Sequence, residues 1–276
     1  MFPDIMVPVA TRVSAQPALE AALAFMRGRY SHLTVLRLVE LPYPVGGAWS
    51  IGSDPGLLGM YEQLRCEGTQ DVARMEDRLR QAGVSFEVAL VECRELPVED
   101  AAIVHALHAD LVIVGGGKGV VDIGYGLVVA VMLKSGRPVM FVPAGVPPPL
   151  PPTRIVLAWK PTREAARAVH DAMALLQTAE HVEVVMVDMD ELPLANRSSS
   201  EQLLDHLRRH GVQARAVHVD AQGASVGATL QSHAERVDAQ LIVTGGYGHS
   251  RLREWVLGGV TRELLLLPGV PVLFSH

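Results

Sequence analysis

Cysteine is nearly missing from this chain: Cys66 and Cys93 are the only two in 276 residues. Their placement fits neither a metal-ligand set nor a disulfide framework, which suits a reducing cytoplasm. Aromatic residues are scarce at 5%, and the apolar set is carried by Ala, Val and Leu, as where helices pack on parallel strands. A surplus of positive charge is also lacking. The net charge is -6, with Lys and Arg dispersed among Asp and Glu, so the basic stripe that a nucleic-acid partner needs is not there. No apolar run approaches the roughly 20 residues of a membrane span. The opening "MFPDIMVPVA" has no basic stretch followed by a long apolar core, so it does not read as a signal peptide. These shortages predict a soluble, cytoplasmic protein with neither a nucleic-acid nor a membrane partner.

What is present is repetition. Hydrophobic residues make up 49% of the chain, enough for two cores, and the length suits two domains. The stretch "AGVPPPLPPTR" carries five prolines, Pro147, Pro148, Pro149, Pro151 and Pro152. Such a segment is stiff and short of backbone donors, so it reads as a linker over 147–152. The same grammar stands on each side of it. "DIMVPVA" matches "RIVLAWK", and an Ala-rich amphipathic helical pattern follows each. "RLRQAGVSFEVALVE" matches "HLRRHGVQARAVHVD": a basic helix end, a Gly-Val stop, then an alternating strand. "SGRPVMFVP" matches "LPGVPVLFS" near the close of each half. This is an internal duplication over 1–146 and 153–276. Strand-length runs alternating with helical patterns predict an α/β fold in which each half is a Rossmann-like, five-stranded parallel sheet. Gly83 and Gly211 suit left-handed helix ends. The first half alone inserts "LPYPVGGAWSIGSDPGLLGMYEQL", which reads as a loop serving as a lid or a packing surface.

The second half also contains "LIVTGGYGHSRLREWVLGGVTRELL", with Gly245, Gly246, Gly248, Gly258 and Gly259 between an apolar strand and a helical pattern. Glycines at such a junction let backbone N–H groups turn toward one point and let a ligand approach without a Cβ in the way. The helix opening at Gly259-Val260-Thr261 adds unpaired N–H groups and partial positive charge, which suits a phosphate. A glycine pair after a strand also serves as a plain tight turn.

The spacing Gly245, two residues, Gly248, nine residues, Gly258, followed by small residues and Thr261, resembles the nucleotide-binding pattern of the universal stress protein family. The likeness extends to the duplicated halves and to the closing "PVMFVP" and "PVLF" strands, so it covers nearly the whole chain as a tandem. It implies an adenine nucleotide hydrolase-like sheet in each half, paired through the last strands into a pseudo-two-fold unit, with a homodimer as a further association. It implies ATP as the ligand, with Mg2+ shared by its phosphates. On the resemblance, the ligand-facing set is Gly245, Gly248, His249, Gly258, Gly259, Val260, Thr261, Lys160 and Val187. This sequence departs from the family pattern in two places. Gly259 stands where the family has a hydroxyl residue, with Thr261 at a second hydroxyl position. Lys160 stands where ATP-binding members carry an adenosine-recognising Asp, with Thr162 beside it. In the first half Ala10 occupies that acid position. There Gly116 and Gly119 keep the first glycine interval, but nine residues beyond Gly119 comes Val129. Any nucleotide is therefore expected in the second half only.

Other residue sets favour plainer roles. His105 with His108, and His206 with His210, have helical spacing but no third ligand nearby, and read as solvated helix faces. "REAAR" from Arg163 to Arg167 reads as surface pairing. Arg251 and Arg253 could neutralise phosphates or simply be solvated. Trp159 and Trp255 flank the glycine region, with packing as the default. No nucleophile–His–acid set stands out, so the chain reads as a non-enzyme. The alternatives are a nucleotide-free member acting through protein contacts and a slow ATP hydrolase.

Overall fold

A computed structural model describes residues 2–28, 30–42, 55–116, 123–145, 151–188, 199–246, 259–266 and 269–276. The first half runs β1 (Asp4–Val9), α1 (Arg12–Met26), β2 (His32–Glu40), α2 (Pro55–Ala82), β3 (Ser85–Cys93), α3 (Val98–Ala106), β4 (Leu111–Gly115), α4 (Ile123–Ser135) and β5 (Val139–Val142). The second half repeats the order with β6 (Arg154–Ala158), α5 (Arg163–Leu176), β7 (His181–Val187), α6 (Ser199–Arg209), β8 (Ala214–Val219), α7 (Val226–Arg236), β9 (Leu241–Gly245), α8 (Gly259–Leu266) and β10 (Val272–Ser275).

All ten strands form one sheet in the order β3-β2-β1-β4-β5-β10-β9-β6-β7-β8. Pairing is parallel within each half and antiparallel where the halves meet, with Phe141 opposite Val272, Met140 opposite Leu273 and Val139 opposite Phe274. Two five-stranded parallel sheets are thus joined edge to edge as a pseudo-two-fold unit. The junction leaves no unpaired edge at the centre of the sheet. Met140, Leu273 and Phe274 are fully buried there, and burial of such a side chain is worth about 1.5–3 kcal/mol.

The central strands are apolar on both faces because helices cover both. One core gathers Ile5, Val7, Leu33 and Val35 with residues of α1, α2, α5 and α6. The other gathers Leu36, Val112, Ile242 and Phe274 with residues of α3, α4, α7 and α8. Each core draws on both halves. Helix starts are set locally: the hydroxyls of Thr11, Thr162 and Ser225 accept from the N–H groups of Ser14, Ala165 and Ala228, each at 3.3 Å. Gly83 (φ 67°) and Gly211 (φ 78°) end α2 and α6 in the left-handed conformation, as their sequence context predicts. Among the described residues, no helix is long and apolar enough to cross a membrane.

Two expectations change. The inserted stretch is not all loop: α2 begins at Pro55 and is 28 residues long. Its first turns are held by a small apolar cluster of Val39, Leu41 and Tyr61, against which Leu57, Leu64 and Leu90 pack. Residues 43–54 lie outside the described set. The glycine alignment between halves also shifts by one residue. Ile5 pairs with Leu111 as Ile155 pairs with Leu241, which makes Gly115 the counterpart of Gly245 and Gly116 that of Gly246. The N–H of Gly116 reaches Val142 O, and that of Gly246 reaches Ser275 O, both at 2.8 Å. Counting on along the sequence, Lys118 rather than Gly119 corresponds to Gly248.

Candidate functional site

In a parallel sheet the loops after the strands gather at the carboxyl edge. Where helices depart to opposite faces from adjacent strands, they leave a crevice. In the second half that crevice lies between β6 and β9, which are neighbours in the sheet. Lys160 is exposed just beyond β6, and its carbonyl accepts from Thr162 N at 2.7 Å. Val187 closes β7, half-buried against the second core. Asp188 follows in a left-handed conformation (φ 51°), and its Oδ1 accepts from Ala221 N at 2.8 Å. Helix α8 runs back from this edge, so its N-terminal N–H groups point toward the crevice.

The residues opening α8 have different exposures. Gly259 is exposed, and a Cβ placed on it would meet nothing within 4 Å among the described residues. Val260 is half-buried against the core, and Thr261 is buried at 3% exposure. The open position at the start of this helix is therefore a glycine, and the nearest hydroxyl is turned into the fold. Gly245 has a packing duty. A Cβ there would lie 2.6 Å from both Ala165 N and the Glu164 carbonyl carbon, so the strand end and α5 can approach only without a side chain. Gly115 meets the backbone of α1 in the same way. Gly248, His249 and Gly258, together with Arg251, Arg253 and Trp255, lie outside the described residues.

Glu164 departs from its expected surface role. It is 2% exposed, Oε1 accepts from Arg163 Nε at 2.6 Å, and Oε2 has no partner among the described residues. Burial pushes its carboxyl up, but the hydrogen bond from Arg163 leads a set of contacts that leaves it below the usual glutamate range. Trp159 packs against the first core, and its indole N–H donates to Ser199 Oγ at 2.9 Å. His105 and His108 are exposed on and just after α3, and the rings of His206 and His210 lie 4.5 Å apart at the end of α6.

Two buried ionic clusters escaped the sequence reading. Asp71 on α2 is 4% exposed and takes hydrogen bonds from Arg12, Arg37 and Arg74. Glu183 on β7 accepts from Arg215 Nε at 3.0 Å and from His233 Nε2 at 2.6 Å. Arg236 donates to His233 Nδ1 at 2.5 Å, which leaves Nε2 as the ring nitrogen carrying the proton. Burial raises Glu183, and the Arg215 and His233 contacts bring it below its usual range. The signal was a charge inside an apolar strand: Arg37 in "LTVLRLVE" and Glu183 in "VEVVMV". A buried charge calls for a partner. Glu183 and Arg215 line a cavity of about 550 Å3 at the amino edge of β6, β7 and β8, remote from Gly259 and Lys160.

No family model and no curated protein matches this chain. Solved structures do. A universal stress protein from Archaeoglobus fulgidus DSM 4304 superposes with a TM-score of 0.76 at 16% identity, covering 99% of this chain and 96% of that one. A putative universal stress protein from Pseudomonas aeruginosa UCBPP-PA14 gives 0.61 at 16% identity, with 99% and 93% covered. A functionally unknown protein from Pseudomonas aeruginosa PAO1 gives 0.61 at 15% identity, with 99% and 92% covered. Over essentially its whole length, the chain has the α/β fold of the universal stress proteins, with two such units in tandem.

Proposed function

We propose that the chain is a universal stress protein that binds an adenine nucleotide, ATP, in a second unit spanning 153–276, and acts as a regulator in stress tolerance. The observation that carries this reading is the start of α8 at the carboxyl edge of the sheet. Gly259 is open there, and the helix N-terminus offers N–H groups and partial positive charge to phosphates. Lys160 adds a positive charge across the crevice, and Val187 an apolar surface for a base. Since Thr261 is buried, phosphate contacts fall to backbone N–H groups and to the glycines Gly248 and Gly258. The candidate set contains no carboxylate, so Mg2+ would enter with the nucleotide and be held by phosphate oxygens. His249 is the one neutral side chain of this set with the chemistry to take a proton from water, and the set holds no carboxylate to orient it as a general base, so the reading is a binding module and not a hydrolase. The first unit, spanning 1–146, has Lys118 in the Gly248 position and takes no nucleotide at the equivalent loop. A second reading, protein contacts without nucleotide, is favoured by the positive charge of Lys160 at the base end and by the missing hydroxyl at Gly259.

Mass spectrometry of freshly purified, denatured protein should reveal co-purified adenine nucleotide, and calorimetry should give one ATP site per chain that depends on the second-half glycine loop. Gly258→Val should weaken ATP at least tenfold, because a branched side chain stands where backbone and ligand approach. Lys160→Asp should strengthen adenosine recognition. No ATP bound by the wild type, and none gained by Lys160→Asp, would leave the protein-contact reading in its place.

A further inference from the structure

The two halves build the same corner of the fold from different chemistry. Counting from the paired positions Ile5 and Ile155, Val9 corresponds to Trp159. Along the adjacent strands Arg37 corresponds to Met186, and counting back from Gly83 and Gly211, Asp71 corresponds to Ser199. In the second half the indole of Trp159 fills this space and donates to Ser199. The first half has the small Val9 instead, and a cavity of about 290 Å3 remains between α1 and α2. Its walls include Val9, Arg12, Arg37, Asp71, Arg74 and Arg78. The positions matching Arg74 and Arg78 in the second half are Gln202 and His206, so the basic character belongs to the first half alone.

Three guanidiniums converge on the single carboxylate of Asp71. Arg12 Nε lies 2.9 Å from Oδ1, Arg37 Nε lies 3.1 Å from Oδ2, and Arg74 Nη2 also contacts Oδ1. Arg37 is only 12% exposed, and its Nη1 is spent on the carbonyls of Val9, Ala10 and Leu38. Arg12 and Arg74 are more than half exposed, and Nη1 of each has no acceptor among the described residues. Glu67 reaches Arg12 only at 3.8 Å, and Arg78 is paired with Glu20 at 3.3 Å. Asp71 therefore orients the arginines without neutralising them, and forked donors face a cavity large enough for a small anion.

We propose that this α1–α2 cleft binds a phosphate-bearing small molecule, with Arg12 and Arg74 as its direct donors, Arg78 at the rim, and Arg37 and Asp71 as the buried anchor that positions them. The occupant is a compact phosphate or polyphosphate group, free or esterified. The cleft opens on the α1–α2 face of the first half, so it is independent of the nucleotide reading for the second. The test uses full-length Gly258→Val, in which the second-half loop is disabled, titrated calorimetrically with inorganic phosphate, pyrophosphate and ATP. Saturable binding of at least one of the three is expected, weakening with added salt. Arg74→Gln combined with Arg78→Gln should reduce it at least tenfold, while circular dichroism and thermal unfolding stay near the parent. Tighter binding of pyrophosphate or ATP than of phosphate identifies a polyphosphate or its ester as the natural class; the reverse order identifies a single phosphate group. Absence of saturable binding for all three, or binding indifferent to the two substitutions, overturns the proposal. Loss of ATP binding in Gly258→Val with pyrophosphate binding retained separates this cleft from the second-half site.

Discussion

A β-carbon added to Gly245 would stand 2.6 Å from backbone atoms of α5 that cannot step aside, whereas one added to Gly259 would meet nothing within 4 Å among the described residues. In the sequence the two glycines belong to one predicted cradle, and the fold separates their duties. Gly245→Ala should lower stability by about 1–3 kcal/mol through overpacking, measured by denaturant unfolding. Gly259→Ser restores a hydroxyl at an open helix start and should leave stability within about 0.5 kcal/mol. A hydrogen bond to a charged phosphate is worth roughly 1.5 kcal/mol, so calorimetry should show ATP affinity rising about tenfold. Unchanged affinity in a stable Gly259→Ser protein would argue that no phosphate comes to this helix. Glycine spacing was legible in the sequence because it is one-dimensional. The clash that fixes Gly245 was not, because it is made with Glu164 and Ala165, far away in the chain.

Asp71 ties together three elements: Arg12 from α1, Arg37 from β2 and Arg74 from α2 itself. Burial pushes this carboxyl up, and hydrogen bonds from Arg74, Arg12 and Arg37 more than offset that, leaving it below its ordinary value of 3.8. A carboxylate whose folded value is depressed contributes stability above its unfolded value. That contribution fades as pH falls through the lower folded value. The wild type should therefore lose stability on acidification from about pH 4 downward. Asp71→Asn should be weaker by about 3 kcal/mol at neutral pH, because Arg37 is left buried without its counter-charge, and should show a shallower slope in acid. Equal acid slopes in urea titrations of the two proteins would remove Asp71 from the explanation. At this scale the sequence displayed strands, caps and helix stops clearly, since each is a local signal. The first turns of α2 were hidden by Pro55, Gly56 and Gly59, which resemble a loop. They are helical because Tyr61, Leu57 and Leu64 find an apolar seat beside β2 and β3.

The joining of β5 to β10 makes one sheet of two units, and each core takes side chains from both. The duplication and the matching closing strands make this association legible in the sequence. The shared cores were not, because periodicity marks which face is apolar and not which neighbour covers it. Residues 153–276 alone would expose the buried Val272–Ser275 edge and the parts of α5 and α8 that face the first half. That fragment should self-associate through β10 and appear as a dimer in light scattering, with Leu273→Asp restoring a monomer or preventing folding. A well-folded monomeric fragment without that substitution would show that the edge needs no partner.

Because β5 and β10 run antiparallel, the carboxyl edges of the two units face opposite ways. The α1–α2 cleft stands over β1 and β2, and Gly259 opens the helix that follows β9, with β4, β5 and β10 intervening between β1 and β9 in the sheet. The gap from β1 to β9 is four strand spacings, about 19 Å before the opposed directions add to it. That is more than twice the screening length of roughly 8 Å at physiological salt. Charge arriving at one end is therefore scarcely felt at the other, and occupants of the two proposed sites should bind as independent events. Their binding heats should add, neither occupant sharpening nor dulling the response to the other.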